Sequence, residues 1–175
     1  MSLGASNTER YGGDYVSKGQ ILEALAELDA EVVAALLPAQ VEELGPMADN
    51  VRVVESVPLH ALLPNCSLLI HHGGFGSYAN ALVYGVPQLT VTTPVADQLH
   101  RGAGLEEQGA GLLLPHDRAT PDAVYERVSR ILAHSAFQDN ATRLRDEANS
   151  RPAPAEKVAV LEQLVQDRRT TPWRA

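Results

Sequence analysis

A doubly wound parallel α/β sheet with helices on both faces is the fold this sequence predicts, and two observations point to it. Short apolar runs bounded by turn residues alternate with segments of helical period along most of the chain. Parallel strands need crossover helices, and these cross with one hand, so the alternation itself implies the sheet. The second observation is the stretch SLLIHHGGFGSYANALVYGVPQLTVTTPVADQ, Ser67 to Gln98, where a buried strand feeds a glycine turn and then a helix.

The elements follow in order. Met1 to Tyr15 is short of apolar residues, holds Gly4, Gly12 and Gly13, and reads as loop. Ser17 and Gln20 have capping-box spacing, with Ile21, Leu22, Leu25 and Leu28 at helical intervals behind them. Glu31 to Leu36 predicts a strand and Pro38 to Leu44 a short helix; the Asp49-Asn50 turn leads to a strand at Val51 to Glu55. Pro58 sits at a first-turn position of a helix that ends before Pro64. Leu68 to Ile70 is the strand before the glycine turn, and the helix through Tyr78, Ala81, Leu82 and Tyr84 ends at Gly85 as its C-cap. Pro87 precedes a strand at Gln88 to Thr92, a helix runs to Gln108, and Gly111 to Leu114 is a further strand. Pro121 to His134, Phe137 to Asn149 and Ala155 to Asp167 are helical in period, with Pro152 and Pro154 separating the last two. One domain over residues 1–175 is expected, its last part, 150–175, a C-terminal helix and tail.

Composition narrows the function. A chain of 175 residues, 45% hydrophobic, is long enough to bury a core, about 70% of its unfolded surface at this size. The net charge is −8, from 14 Lys and Arg against 22 Asp and Glu, with no basic run to neutralise a series of phosphates, so nucleic acid is not an expected partner. An anionic ligand is still compatible, because helix-end dipoles act locally while the net charge is spread over a solvated surface. The single Cys66 cannot form an intrachain disulfide and reads as a small buried hydrophobe before a strand. There is no charged-then-apolar leader and no apolar run approaching ~20 residues, so a cytoplasmic protein without a membrane partner is expected.

The glycine turn is the candidate site. Gly73, Gly74 and Gly76 lack the Cβ that would hold a phosphate away, and the first N–H groups of the following helix carry the positive end of its dipole. Gly76 and Ser77 open that helix, and their N–H groups, with the Ser77 hydroxyl, are candidate diphosphate donors; an ordinary helix end facing solvent is the bland alternative. His72, at the junction, could donate to a phosphate oxygen or fill a structural polar role. His71 points the other way, since adjacent strand residues face opposite sides, and no Cys or carboxylate stands nearby at ligand spacing, so no metal site is expected. Asp97 and Gln98 lie in the loop after the next strand, where both loops can face one crevice. They could hold sugar hydroxyls, or Asp97 could simply cap the helix that follows.

HHGGFGS, followed by ALVYGVPQL and ADQ, resembles the donor-binding C-terminal half of GT-B glycosyltransferases, most of all the bacterial enzymes that put sugars on antibiotics and other natural products. The likeness extends upstream through VRVVESVPLHALLPNCSLLI, downstream to EEQGAGLLLP, and more weakly to PAPAEKVAVLEQL. It implies one half of a GT-B fold, a Rossmann-like domain that binds a nucleotide diphosphate sugar, with thymidine favoured as the base. His72 would contact the donor diphosphate, with Gly74, Gly76 and Ser77 beside it. Asp97 and Gln98 would contact the donor sugar. Val57 to Leu59 matches the segment that grips the base, largely by backbone groups; Ser56 stands where plant relatives carry a stacking Trp. Leu3, Gly4, Ala5 and Ser6 match only the end of the strand that opens this half in the family, so the chain is expected to start mid-strand as a piece of a longer protein. Ser6 would lie near the phosphates, or be a solvated turn serine. The resemblance implies sugar transfer to an acceptor hydroxyl, with inversion at the anomeric carbon; no metal or other cofactor is expected, because the Asp97-Gln98 pair offers one carboxylate, too few hard oxygen ligands for magnesium. It places the acceptor pocket and the general base on a missing N-terminal domain. No catalytic residue is then expected in this piece, and a homodimer is left open.

Two other readings compete. Gly74-Phe75-Gly76-Ser77-Tyr78-Ala79 matches G-x-G-x-x-A, with Asp97 at about the distance of a ribose-binding acid, which suggests an NAD(P)-binding oxidoreductase domain. Against it, at least two strands precede a motif that belongs near the first, and Asp97 lies several residues beyond its strand. A non-catalytic, transferase-like regulatory domain is the third reading, opposed by the intact His72, Gly76, Asp97 and Gln98.

Overall fold

The computed structural model describes residues 1, 18–42, 44, 46–55 and 57–170. Ser6, Ser56 and the Ser17 side of the capping box lie outside the described residues. The chain alternates as expected: α1 (Lys18–Ala26), β1 (Val32–Leu36), α2 (Pro38–Glu42), β2 (Val51–Glu55), α3 (Leu59–Leu62), β3 (Leu69–His71), α4 (Phe75–Tyr84), β4 (Gln88–Thr92), α5 (Gln98–Glu107), β5 (Gly111–Pro115), α6 (Pro121–Ala133), α7 (Ser135–Asn149) and α8 (Val158–Thr170).

Every described strand pairing is parallel. β1 pairs with β2 from Val32↔Val51 to Leu36↔Glu55, while β4 lies between β3, registered Leu69↔Gln88, and β5, registered Gln88↔Gly111. The described strands thus form two parallel sets, β1-β2 and β3-β4-β5. On the open side of β1, Met1 donates its amino group to the Val33 carbonyl (2.5 Å) and accepts from the Ala35 N–H (3.0 Å), one rung of a parallel ladder.

Strand alternation divides the core between two faces. Ile70, Leu89, Val91, Leu112 and Leu114 pack with Ile21, Leu22 and Leu25 of α1 and with Val124, Val128 and Ile131 of α6. On the opposite face, Leu69 packs with Ala81 of α4, and α5 and α7 bury Leu105 and Ala141 against each other. Polar residues of β4, namely Gln88, Thr90 and Thr92, are buried as well. Burying hydroxyl and amide groups costs free energy unless they are paired, so a polar layer inside the fold signals a purpose beyond packing.

Local signals explain the boundaries. Thr120 Oγ1 accepts from the Ala123 N–H at 3.2 Å, with Pro121 in the first turn of α6. Gly85 takes φ 66°, the left-handed conformation a helix C-cap wants, and its carbonyl accepts from Gln138 of α7 at 2.8 Å. Asn50 does more than turn the chain: its amide donates to the Leu25, Leu28 and Ala30 carbonyls at 3.1–3.2 Å and ties the end of α1 to the start of β2. Pro58 occupies the N-cap of α3 instead of its first turn, and the helix passes into a 3-10 turn, Leu63–Asn65, that contains Pro64. A 3-10 turn accommodates this proline in its first positions, where no N–H is required. Pro154–Lys157 is likewise a 3-10 turn ahead of α8. Cys66 is half-buried at the end of the Leu63–Asn65 turn, not a core residue; its thiol donates to the Leu62 carbonyl at 3.3 Å, and burial raises its pKa.

Candidate functional site

β3 ends at His71, and four residues later α4 begins. Gly73 carries φ +84°, a left-handed turn that lets the chain leave the sheet edge and start the helix. A Cβ on Gly73 would also crowd Thr90, Thr92 and Gln98 at 3.1–3.2 Å, so the position is closed on both counts.

Gly74 is the N-cap of α4, with φ −60°, ψ 139° and no capping side chain. The half-buried His72 ring takes the place of a side chain here: a Cβ on Gly74 would lie 2.8 Å from His72 Cε1 and closer still to Nε2. Imidazole and helix N-terminus therefore meet at one point, a ring donor beside the positive end of a ten-residue helix. Gly76 is exposed and a Cβ there would meet nothing within 4 Å, while Ser77 is half-buried in the first turn.

The two histidines separate as strand alternation requires. His71 is fully buried; its Nε2 faces Gln88 Oε1 at 2.9 Å and its Nδ1 accepts the Gly73 N–H at 3.0 Å. Burial lowers its pKa to about 4, with the charges of His72, Arg101 and the Met1 amino group pushing the same way against the Gln88 hydrogen bond.

After β4 the chain turns through Ala96, a non-glycine residue at φ 50°. Asp97 follows at the N-cap position of α5 but makes no side-chain cap bond; its carboxylate pairs with Arg101, one turn on. Gln98 is 7% exposed, and its Oε1 accepts from Thr92 Oγ1 at 2.7 Å, so its NH₂ group is what it can offer a ligand. Val57 is half-buried after β2, and Leu59 packs with Leu63, Leu69, Ala81 and Val86 against α4.

Arg101 is a residue of this site that the sequence pattern does not single out. Its Nη2 and Nε donate to the Gly73 carbonyl at 2.9 and 3.2 Å, its Nη1 holds Asp97, and its guanidinium lies 5.8 Å from the Phe75 ring centroid. The only signal available beforehand was the i,i+4 spacing of Asp97 and Arg101. The glycine turn and the Asp97-Gln98 loop are thereby joined. Among the described residues no three His, Cys, Asp or Glu side chains come together as a metal site would need.

A parallel α/β domain whose carboxyl sheet edge carries a helix N-terminus without a capping side chain has that helix end where open α/β sheets seat their ligands. The particular family follows from comparison: residues 19–164 match the Erythromycin biosynthesis protein CIII-like, C-terminal domain, and the chain belongs to that family. It is 44% identical to the aclacinomycin-T 2-deoxy-L-fucose transferase of Streptomyces galilaeus over 170 residues, 97% of this chain and 38% of the relative. It is also 44% identical to the 10-deoxymethynolide desosaminyltransferase of Streptomyces venezuelae over 172 residues, 98% of this chain and 40% of the relative. The chain thus spans about two fifths of these relatives, and it corresponds to the C-terminal domain of such glycosyltransferases. The crystal structure of glycosyltransferase VinC in complex with DTDP superposes with TM-score 0.83 at 36% identity, covering 95% of this chain and 41% of that one. The spinosyn rhamnosyltransferase SpnG complexed with thymidine diphosphate superposes with TM-score 0.81 at 31% identity, covering 91% and 43%. These findings bear out the GT-B resemblance and do not favour the oxidoreductase reading.

Proposed function

We propose that this chain is the donor half of a natural-product glycosyltransferase and binds a thymidine diphosphate deoxysugar. The observation that carries the proposal is the meeting of the His72 ring with the uncapped N-terminus of α4, linked through Gly73 and Arg101 to Asp97. In this reading the N–H groups of Gly76 and Ser77 and the His72 ring receive the diphosphate, with Gly74 leaving room for that ring. Asp97 and the Gln98 NH₂ group take sugar hydroxyls, and the backbone of Val57 to Leu59 holds the base. Thymidine is supported by the thymidine diphosphate present in the VinC and SpnG complexes.

Transfer would break the bond from the anomeric carbon to the diphosphate oxygen and form one to an acceptor hydroxyl, with inversion. The hydroxyl proton would pass to a base on the N-terminal part of the longer protein. This half would supply electrostatic stabilisation of the departing diphosphate, whose charge meets preoriented N–H dipoles and an imidazole donor. Metal-free binding is part of the proposal: Asp97, the one carboxylate of the donor loop, is already paired with Arg101.

Calorimetric titration with thymidine diphosphate and, separately, with NAD tests the reading. Saturable binding of the first, unchanged by chelator, and none of the second is expected. Binding of NAD alone would transfer the site to a different chemistry. The isolated chain should bind donor without transferring sugar, because donor and acceptor must meet in one cleft; transfer by this chain alone would place the base within it.

A further inference from the structure

His71 is spent on neither the diphosphate nor the sugar in the reading above, yet it is a fully buried, titratable side chain in a layer where an unpaired polar group would be costly. Its two ring nitrogens have opposite duties. The Gly73 N–H can only donate, so Nδ1 must be the acceptor; Gln88 Oε1 can only accept, so Nε2 must carry the proton. One neutral tautomer satisfies both bonds. The bond from Gly73 back to the side chain two residues earlier has the connectivity of an Asx-turn, with imidazole in place of a short amide.

The consequence lies at Gly73. Its N–H is held by His71 from the sheet, and its carbonyl by Arg101 from α5. Both polar groups of a left-handed residue are thereby fixed, and this residue sets the direction in which the chain enters α4. We propose that His71 is a positioning residue: in the Nε2-protonated form, braced on Gln88, it holds the Gly73 turn so that the His72 ring and the α4 N-terminus converge on the donor phosphates. This rests on the donor-site reading given above, and it concerns a residue that touches no ligand.

The experiment compares the chain with His71→Leu and His71→Asn. Leucine fills the space and makes neither bond. Asparagine restores the bond from the Gly73 N–H through an ordinary Asx-turn while being too short to replace the brace on Gln88. Nitrogen-15 NMR of the imidazole and hydrogen exchange at the Gly73 amide read the turn directly; titration with thymidine diphosphate reads its effect on the site. The expected results are a single Nε2-protonated tautomer, at least about tenfold faster Gly73 exchange in His71→Leu, and about tenfold weaker binding there, the size of one hydrogen bond. His71→Asn should recover most of both. Rescue by asparagine separates positioning from bulk stability, since a merely structural histidine would be served better by leucine than by a polar residue in its place. An Nδ1-protonated ring, or Gly73 exchange unaffected by leucine, overturns the proposal, as does equal affinity in all three proteins. If the unaltered chain binds no thymidine diphosphate, the donor reading falls, and the exchange and tautomer data alone uphold or overturn the role of His71.

Discussion

Arg101 reaches from the first turn of α5 to the Gly73 carbonyl, with Nη2 at 2.9 Å and Nε at 3.2 Å, and so binds the glycine turn to the loop that presents Asp97. The side chain is 15% exposed, so little of this geometry is left to solvent.

Arg101→Met should therefore weaken both thymidine diphosphate and the corresponding nucleotide sugar, the first through Gly73 and the second also through Asp97. Hydrogen bonds to a charged group are worth roughly 1.5–3 kcal/mol, which sets the expected fall in unfolding free energy as well. Denaturant melts and calorimetry on one sample measure both. Unchanged affinity for both ligands would show that the link between the loops is dispensable.

Asp97→Asn should behave differently. The carboxylate is 66% exposed, where an ion pair contributes about 0–1 kcal/mol, so the melting temperature should move little. Affinity for the nucleotide sugar should drop while that for thymidine diphosphate holds. Equal loss for the two ligands would mean that Asp97 acts on the glycine turn through Arg101 and not on sugar hydroxyls.

Gly76→Ala separates folding from binding. A Cβ at Gly76 meets nothing within 4 Å and its φ is not left-handed, so alanine in the first turn of α4 should stabilise the chain by about 0.4–1 kcal/mol. The same methyl group would stand where the proposed site receives the diphosphate, so binding should weaken. A stabilised variant with full affinity would move the diphosphate away from Gly76.

The buried His71 makes stability depend on pH. Its folded pKa of about 4 lies below the ordinary 6.5, so between those values the unfolded chain binds the extra proton. Its contribution is complete above about pH 6.5 and is lost as pH falls towards 4. Chemical melts at pH 7 and pH 4.5 should show a larger acid loss for the unaltered chain than for His71→Asn, which has no proton to take up at this site. Parallel losses would place the acid sensitivity elsewhere.

Much of the architecture was legible because its signals are local. Gln88 to Thr92 stands as a strand at the boundaries its composition suggests, and Gly85 caps α4 as its position implies. Proline gave less: at Pro58 and Pro64 it marked an irregularity without telling an N-cap from a first turn, or a helix end from a 3-10 continuation. The geometry of the candidate site was legible as far as the backbone makes it, since glycines before a helix report close approach. Its side-chain links were not. Arg101 and Gly73 are 28 positions apart, His71 and Gln88 are 17, and such bonds depend on the parallel register of β3 and β4, which no local pattern encodes. Asn50 was visible as a turn residue, but its three carbonyl partners lie 20 to 25 positions upstream.

The central claim, that the His72 ring and the α4 N-terminus form a diphosphate site, is tested most directly by titrating thymidine diphosphate into the chain and into His72→Ala. Saturable binding to the first and a loss of about 10- to 150-fold in the second, the worth of a hydrogen bond to a charged group, are expected, with unchanged ligand-free melting. Equal affinity in the two proteins, or no binding to either, would contradict it.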